Sequence, residues 1–256
     1  MRLARVACAG AIHAAQPQLL ADGRAGVRLT DGRTLAEEDV VWLPPLEVGT
    51  IIALGLNYAD HAKELSFQHQ DEPLVFLKGP ASLVGHRGET RRPADATFMH
   101  YECELAVVIG KPARRVPRAR AIEHVAGYTI ANDYAVRDYL ENWYRPNLRV
   151  KSRDGATAIG PWLVDASDVE WPPARALRTL VNGTQTQSGH TRDLVFDIAY
   201  LIEYLSAFMT LDTGDVVLAG SAPDAPCARA GARVAIEIER VGRLETRVAV
   251  VERVTA

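Results

Sequence analysis

Three features of the sequence predict a mainly β fold with some α. The apolar runs are short, rich in β-branched residues and bounded by Gly or Pro. Only one long stretch carries a clear helical period. The pair Pro44-Pro45 stops any regular element and divides a turn-rich opening from longer runs of buried character. The expected organisation is a small N-terminal β region over residues 1–48, followed by a catalytic-size domain over 49–256.

The elements follow in order. MRLARVACAGAIHAAQ sets two arginines before a small-residue stretch, as an export signal would, but Gly10 and His13 interrupt a weakly apolar segment. It reads as a strand and turn. VRLTDGRTL holds Asp31-Gly32, a hairpin signal, and VVWLPP closes the region. Beyond it, IIALGLNY, PLVFLK, LAVVIG, VAGYTIAND and VVLAGS read as buried strands, and RVAIEIERV alternates in part. DLVFDIAYLIEYLSAFMT, from Asp193 to Thr210, repeats apolar residues every three or four positions and has Gly214 beyond its end, so it is the main helix. ARAIEHV and AVRDYLENWY are shorter helical candidates.

Composition narrows the class. The 256 residues are 48% hydrophobic and 24% charged with a net charge of −3, which suits a globular domain and excludes a disordered polymer. Lacking a cationic surplus, the chain is expected to bind neither nucleic acid nor an anionic membrane. No apolar run approaches the roughly 18–20 residues that span a bilayer. Cys8, Cys103 and Cys227 fit neither a disulfide framework nor a zinc pattern, so a reducing, cytoplasmic setting is expected. G-x-S-x-G, Walker, H-E-x-x-H and G-x-G-x-x-G signatures are all missing, which removes the serine-hydrolase, nucleotide-dependent and zincin readings.

Four segments could carry chemistry. In MHYECELAVVIG, a strand would project Glu102 and Glu104 to one face and Tyr101, Cys103 and Leu105 to the other. Paired carboxylates opening a buried strand repel unless a proton or cation intervenes, and hard oxygen donors suit Mg²⁺, Mn²⁺ or Ca²⁺. Taken alone, such a pair is more often a solvated strand face. Asp133, ending GYTIAND, supplies a third carboxylate, or else caps the AVRDYLENWY helix. His61 and Glu64 in GLNYADHAKEL are three apart on one helical face and could form an acid–base couple; an incidental surface histidine is the plainer alternative. Their polar flanks have the texture of a mobile lid. WYRPNLRVKSRDG gathers Arg145, Arg149, Lys151 and Arg153, either a solvated basic loop or a cationic rim in which Lys151 moves a proton or stabilises an enolate.

The ordered set GLNYADHAKEL, PLVFLKGPASL, HYECELAVVIGK, VAGYTIANDYAVRD, KSRDG, GPWLV and FMTLDTGDVVLAG resembles the fumarylacetoacetate hydrolase superfamily from about residue 50 to about residue 252. DYLENWYRPNLRVKSRDG is similar to the branch formed by the C-terminal half, or separate subunit, of the isomerase/decarboxylases of 4-hydroxyphenylacetate (homoprotocatechuate) degradation. The resemblance implies the family's mixed β-roll core, usually as a homodimer, with the N-terminal β region appended. It implies metal ligation by Glu102, Glu104 and Asp133, most often to Mg²⁺ or Mn²⁺. His61 and Glu64 would form a lid dyad, with Lys151 as the active-site lysine. Lys78, Arg145 and Ser221 are expected to contact substrate. Where the family shows G-T-P-x-G, this chain reads GSAPD, with Ala222 in place of the proline and Asp224 in place of the glycine.

The activity so implied is decarboxylation of 5-oxopent-3-ene-1,2,5-tricarboxylate and isomerisation of the resulting 2-hydroxyhepta-2,4-diene-1,7-dioate, a small anionic 2-oxo acid being the substrate. The alternatives are hydrolytic C–C cleavage of an acylpyruvate, and a catalytically weak subunit assembled with a homologous partner chain.

Overall fold

The computed structural model describes residues 1–58, 71–140, 148–223 and 227–251. The opening strands are β1 (Arg2–Cys8), β2 (Ala11–Leu19), β3 (Ala25–Leu29), β4 (Thr34–Ala36) and β5 (Val41–Leu43). Next come β6 (Ile51–Gly55), β7 (Leu74–Lys78), β8 (Leu83–Val84), β9 (Glu89–Pro93), β10 (Met99–His100), β11 (Cys103–Ile109), β12 (Val125–Asp133) and β13 (Ala135–Val136). The short helix α1 (Leu148–Lys151) precedes β14 (Thr157–Asp165), β15 (Ala176–Val181) and β16 (Thr184–His190). The helix α2 (Ile198–Phe208) then leads to β17 (Val216–Leu218), β18 (Arg233–Ile238) and β19 (Gly242–Val251).

A 12-stranded sheet follows the order β4-β3-β2-β1-β14-β12-β11-β17-β6-β7, with β5 paired to β1 and β8 to β14. A second, five-stranded sheet runs β16-β15-β18-β19-β9, and β10 pairs with β13. The N-terminal hairpins have their own apolar cluster around Val6, Val27, Leu29 and Trp42. They join the large sheet where Arg2 and Leu3 pair with Val164 and Leu163 of β14. Glu37, Trp42 and His86 lock the same junction: the His86 ring meets the Trp42 indole edge-on at 5.1 Å, and its Nε2 lies 2.9 Å from a Glu37 carboxylate oxygen.

Strand β11 explains the centre of the molecule. All its residues are buried, and alternation sorts them between two apolar clusters. Cys103, Leu105, Val107 and Ile109 pack with Leu201, Ile202 and Leu205 of α2 and Ile236 of β18. Ala106 and Val108 face Ile51, Ile159, Val216 and Leu218. Glu104 precedes them on that second face, so a carboxylate enters where an apolar side chain would otherwise sit.

Two helical expectations change. The main helix begins at Ile198 rather than Asp193, because Asp197 caps it by accepting from the Tyr200 N–H at 2.8 Å. The residues before it are drawn away by Asn57, whose backbone and side-chain oxygens accept from the Val195 and Phe196 N–H groups. AVRDYLENWY does not open as a helix: Ala135 and Val136 pair with His100 and Met99, and Arg137–Tyr139 form a single 3₁₀ turn. Asp133 is therefore not a helix cap. ARAIEHV is helical but of 3₁₀ type, over Arg118–His124.

Candidate metal centre

Strands β11 and β12 pair antiparallel with Cys103 opposite Asn132 and Glu104 opposite Ala131. One step on, the Asp133 N–H donates to the Glu102 carbonyl at 3.0 Å, which sets Asp133 directly across from Glu102 and diagonal to Glu104. Side chains two apart on β11 and opposite on β12 share a face, so three carboxylates converge. One ligand oxygen from each lies within 4.8 Å of the others, and all three residues are buried. The Glu102 N–H is fixed by the Asn132 side-chain oxygen at 3.0 Å.

Cations surround the group. Lys151, at the end of α1, donates to Glu102 Oε2 and, at 2.8 Å, to Asp133 Oδ2. Lys78, at the end of β7, donates to Asp133 Oδ1 and to the Lys151 backbone carbonyl. Its side chain has no exposed surface. Arg137 donates to Glu102 Oε1 at 2.9 Å. The Gly220 N–H donates to Glu104 Oε2 at 2.7 Å. Glu104 Oε1 is buried without a hydrogen-bond partner among the described residues.

The electrostatics follow from burial. Burial first, then the Asp133 and Glu102 charges, push the Glu104 carboxyl well above the usual carboxylate range. Burial alone would lower the Lys151 ammonium, but Asp133 and Glu102 outweigh it and hold it above its ordinary value. For Lys78 burial wins over the attraction of Asp133, and its ammonium is lowered.

Three converging carboxylates, one with an orphaned buried oxygen, fit a hard divalent cation bound through oxygen, which would satisfy Oε1 and relieve the mutual repulsion.

The expected residues Glu102, Glu104, Asp133, Lys151 and Lys78 thus come together. Ser221 lies one residue beyond the amide that holds Glu104, 94% buried, with its hydroxyl 3.2 Å from Gln187 Nε2. His61, Glu64, Arg145 and Asp224 lie outside the described residues. Sequence reasoning gave no role to Arg137, Asn132, Asn57 or Gln187. Arg137 and Asn132 sit inside the NDYAVRD motif and Asn57 inside GLNYADHAKEL, which was their signal; Gln187 lies in no such motif and had none.

Of the described members of the basic cluster, Lys151 enters the site. The guanidinium groups of Arg149 and Arg153 instead lie over the Tyr139 ring, at 4.1 and 5.4 Å from its centroid.

Comparisons with known proteins cover the part of the chain that holds this site. The profile described as fumarylacetoacetate (FAA) hydrolase C-terminal matches residues 50–249. A 4-hydroxyphenylacetate degradation bifunctional isomerase/decarboxylase from Salmonella dublin is 56% identical over 201 residues, 78% of this chain and 47% of that protein. The chain thus spans about half the length of the curated relatives it matches. The crystal structure of 5-carboxymethyl-2-hydroxymuconate delta-isomerase from Mycobacterium smegmatis superposes with a TM-score of 0.86 at 36% identity, covering 99% of this chain and 100% of the other. Fumarylpyruvate hydrolase from Pseudomonas aeruginosa, in complex with Mn²⁺ and pyruvate, gives a TM-score of 0.75 at 31% identity over 82% of this chain and 92% of that one.

Proposed function

Since the chain belongs to the fumarylacetoacetate hydrolase family, we propose that it is a divalent-metal-dependent enzyme of aromatic catabolism. The reaction we assign is decarboxylation of 5-oxopent-3-ene-1,2,5-tricarboxylate and isomerisation of the 2-hydroxyhepta-2,4-diene-1,7-dioate that results. The observation that carries the reading is the trio Glu102, Glu104 and Asp133 with its orphaned oxygen. The names of the similar isomerase/decarboxylase and delta-isomerase support the substrate class.

Glu102, Glu104 and Asp133 would hold the cation, Mg²⁺ or Mn²⁺. When bound, it supplies a Lewis acid for a 2-oxo acid, favouring charge build-up on the oxo oxygen. The protein's own residues do the rest. Among the described residues three carboxylates face three cations, Lys78, Lys151 and Arg137. A dication adds two positive charges, so the centre favours a substrate bearing at least two negative ones. Lys151, kept protonated by its two carboxylate partners, is a fixed cation suited to stabilising an enolate. Arg137 holds Glu102, and the Gly220 amide holds Glu104, so the ligand oxygens are oriented before substrate arrives. His61, oriented by Glu64, is assigned the proton transfer between carbon positions that both reactions require. Ser221, Lys78 and Arg145 are assigned to substrate. Assembly as a homodimer, or with a homologous chain, belongs to the same proposal and is tested by light scattering on the purified protein.

A second reading is hydrolytic C–C cleavage of an acylpyruvate, favoured by the likeness to a fumarylpyruvate hydrolase. One assay separates the two. Metal-stripped protein is given the tricarboxylate with and without Mg²⁺, and CO₂ release and ultraviolet absorbance are followed. Metal-dependent CO₂ release that Glu104→Ala abolishes is the expected result. No CO₂ release, with metal-dependent consumption of an acylpyruvate, would transfer the assignment to the hydrolase. Inactivity of the chain alone, restored by a homologous chain, would favour the partner-subunit alternative.

A further inference from the structure

The carboxylate trio belongs to the large sheet, yet one of its supports comes from the edge of the second sheet. Gln187, on β16, is 3% exposed. Its Nε2 lies 2.6 Å from the Ala222 carbonyl, 3.1 Å from the Pro223 carbonyl and 3.2 Å from Ser221 Oγ. Carbonyl oxygens only accept, so the amide nitrogen must face them and the amide orientation is fixed. The opposite end, Oε1, then accepts from Thr179 Oγ1 at 2.9 Å, across the β15–β16 pair. Two residues along the same face of β16, Gly189 leaves the space that Ala222 fills: a Cβ built there would lie 2.6 Å from the Ala222 Cβ.

The other end of the segment is held as firmly. Asn57 Nδ2 donates to the Ala219 carbonyl at 2.8 Å, and the Ala219 N–H donates to Leu105 of β11 at 3.0 Å. Between these anchors lies Gly220, with φ at +96° and its N–H on Glu104 Oε2. That amide engages Oε2 of Glu104 and leaves Oε1 buried and without a hydrogen-bond partner among the described residues. Without Gln187 the Ser221–Pro223 stretch loses every side-chain donor that an element outside the segment gives it among the described residues.

We propose that Gln187 is a positioning residue for the metal centre: by gripping Ser221, Ala222 and Pro223 it holds the Gly220 amide on Glu104 and so presents Glu104 Oε1 to the cation. The inference rests on reading the trio as a metal site. Gln187 does not touch the trio; it acts through four residues of backbone. It makes the second sheet part of the centre, although no residue of that sheet is assigned as a ligand.

The test is Mn²⁺ binding by calorimetry on the metal-stripped full chain, with thermal denaturation of each metal-free variant as the fold control. Gln187→Glu keeps the volume and the acceptor for Thr179 but turns a second acceptor against two carbonyls. Its Mn²⁺ dissociation constant is expected to rise about ten- to hundredfold, the range seen when a residue that orients a ligand is lost. The electron paramagnetic resonance of bound Mn²⁺ should change with it, which general loosening of the fold would not cause. Thr179→Val, which frees Gln187 Oε1, should weaken binding in the same direction by a smaller factor, and serves alone if Gln187→Glu does not fold. Binding within twofold of wild type in the folded variants overturns the inference while leaving the metal site intact. Failure of the wild-type chain to bind Mn²⁺, or binding that Glu104→Ala leaves unchanged, overturns the reading of the trio and this inference with it.

Discussion

The ammonium of Lys78 donates to the backbone carbonyl of Lys151, and the two lysines take opposite oxygens of Asp133. Lys78 thereby ties the end of α1, which carries Lys151, to β12. Both lysines hold Asp133, and beyond that Lys151 carries the enolate assignment and Lys78 a substrate contact. Lys78→Met leaves Asp133 one cation short inside the protein and should cost about 3–5 kcal/mol of stability, the range for breaking a buried ion pair. Lys151→Met should lower kcat by about 10²–10⁴ as well, because it removes the cation to which the proposal assigns enolate stabilisation. Denaturant titration and steady-state kinetics on both variants check these effects.

Glu104→Gln should make the metal-free protein more stable and the metal-loaded protein less so. The Glu104 carboxyl is raised above its ordinary 4.5, so its favourable protonated state is fully available below that pH. In metal-free protein that stability is lost as pH rises through the raised value, where burial and two neighbouring carboxylates oppose ionisation. A neutral amide keeps an acceptor for the Gly220 N–H and turns donors toward Glu102 and Asp133. Its gain at neutral pH should be about 1–4 kcal/mol. Wild type should instead gain about 2.7 kcal/mol at 100 times the metal dissociation constant. Melting curves with and without Mn²⁺, repeated across pH, read both effects.

Gly220→Ala should uncouple the loop from the centre. At φ +96° a side chain is strained, and its Cβ would lie 2.9 Å from the Asn57 Cβ. A destabilisation of about 1–3 kcal/mol is expected, together with weaker Mn²⁺ binding as the amide leaves Glu104. Melting and calorimetry on the same preparation measure the two.

The N-terminal hairpins should loosen in acid through Glu37. Its carboxyl is lowered chiefly by the hydrogen bond to His86, helped by the His86 and Arg87 charges. A lowered carboxylate contributes stability above its unfolded value, ordinarily 4.5, and loses it as pH falls through the folded value below that. Glu37→Gln should flatten this acid limb, with a loss of about 1 kcal/mol or less at neutral pH. Stability measured between pH 3 and pH 7, roughly the span over which carboxylates titrate, tests it.

Strands β6, β7, β11, β12, β17 and β18 were legible because they are short, apolar and punctuated, whereas most of the second sheet, including the polar β16, was not. The alternation of MHYECEL set Glu102 and Glu104 on one side. Their convergence with Asp133 was implied by the family resemblance; the residues alone left Asp133 open as a helix cap. The start of α2 was not legible, because Asn57, far away in the sequence, claims the backbone just before it. AVRDYLENWY has the composition of a helix, but its first residues are taken by β10. The supports of the centre were hidden for the same reason. Gln187 and Gly220 act through backbone carbonyls and an amide, which every residue possesses and no side-chain pattern announces.

The alternation that turns Glu102 and Glu104 toward the centre turns Cys103 the opposite way, fully buried against Leu105 and α2, where burial raises its thiol far above the ordinary range. A thiol so placed is silent to alkylating reagents until β11 leaves the sheet. The chain therefore carries a native clock at its middle: the labelling half-life of Cys103 counts openings of the strand that bears Glu104 and directly follows Glu102, and any occupant that ties those ligands together should lengthen it.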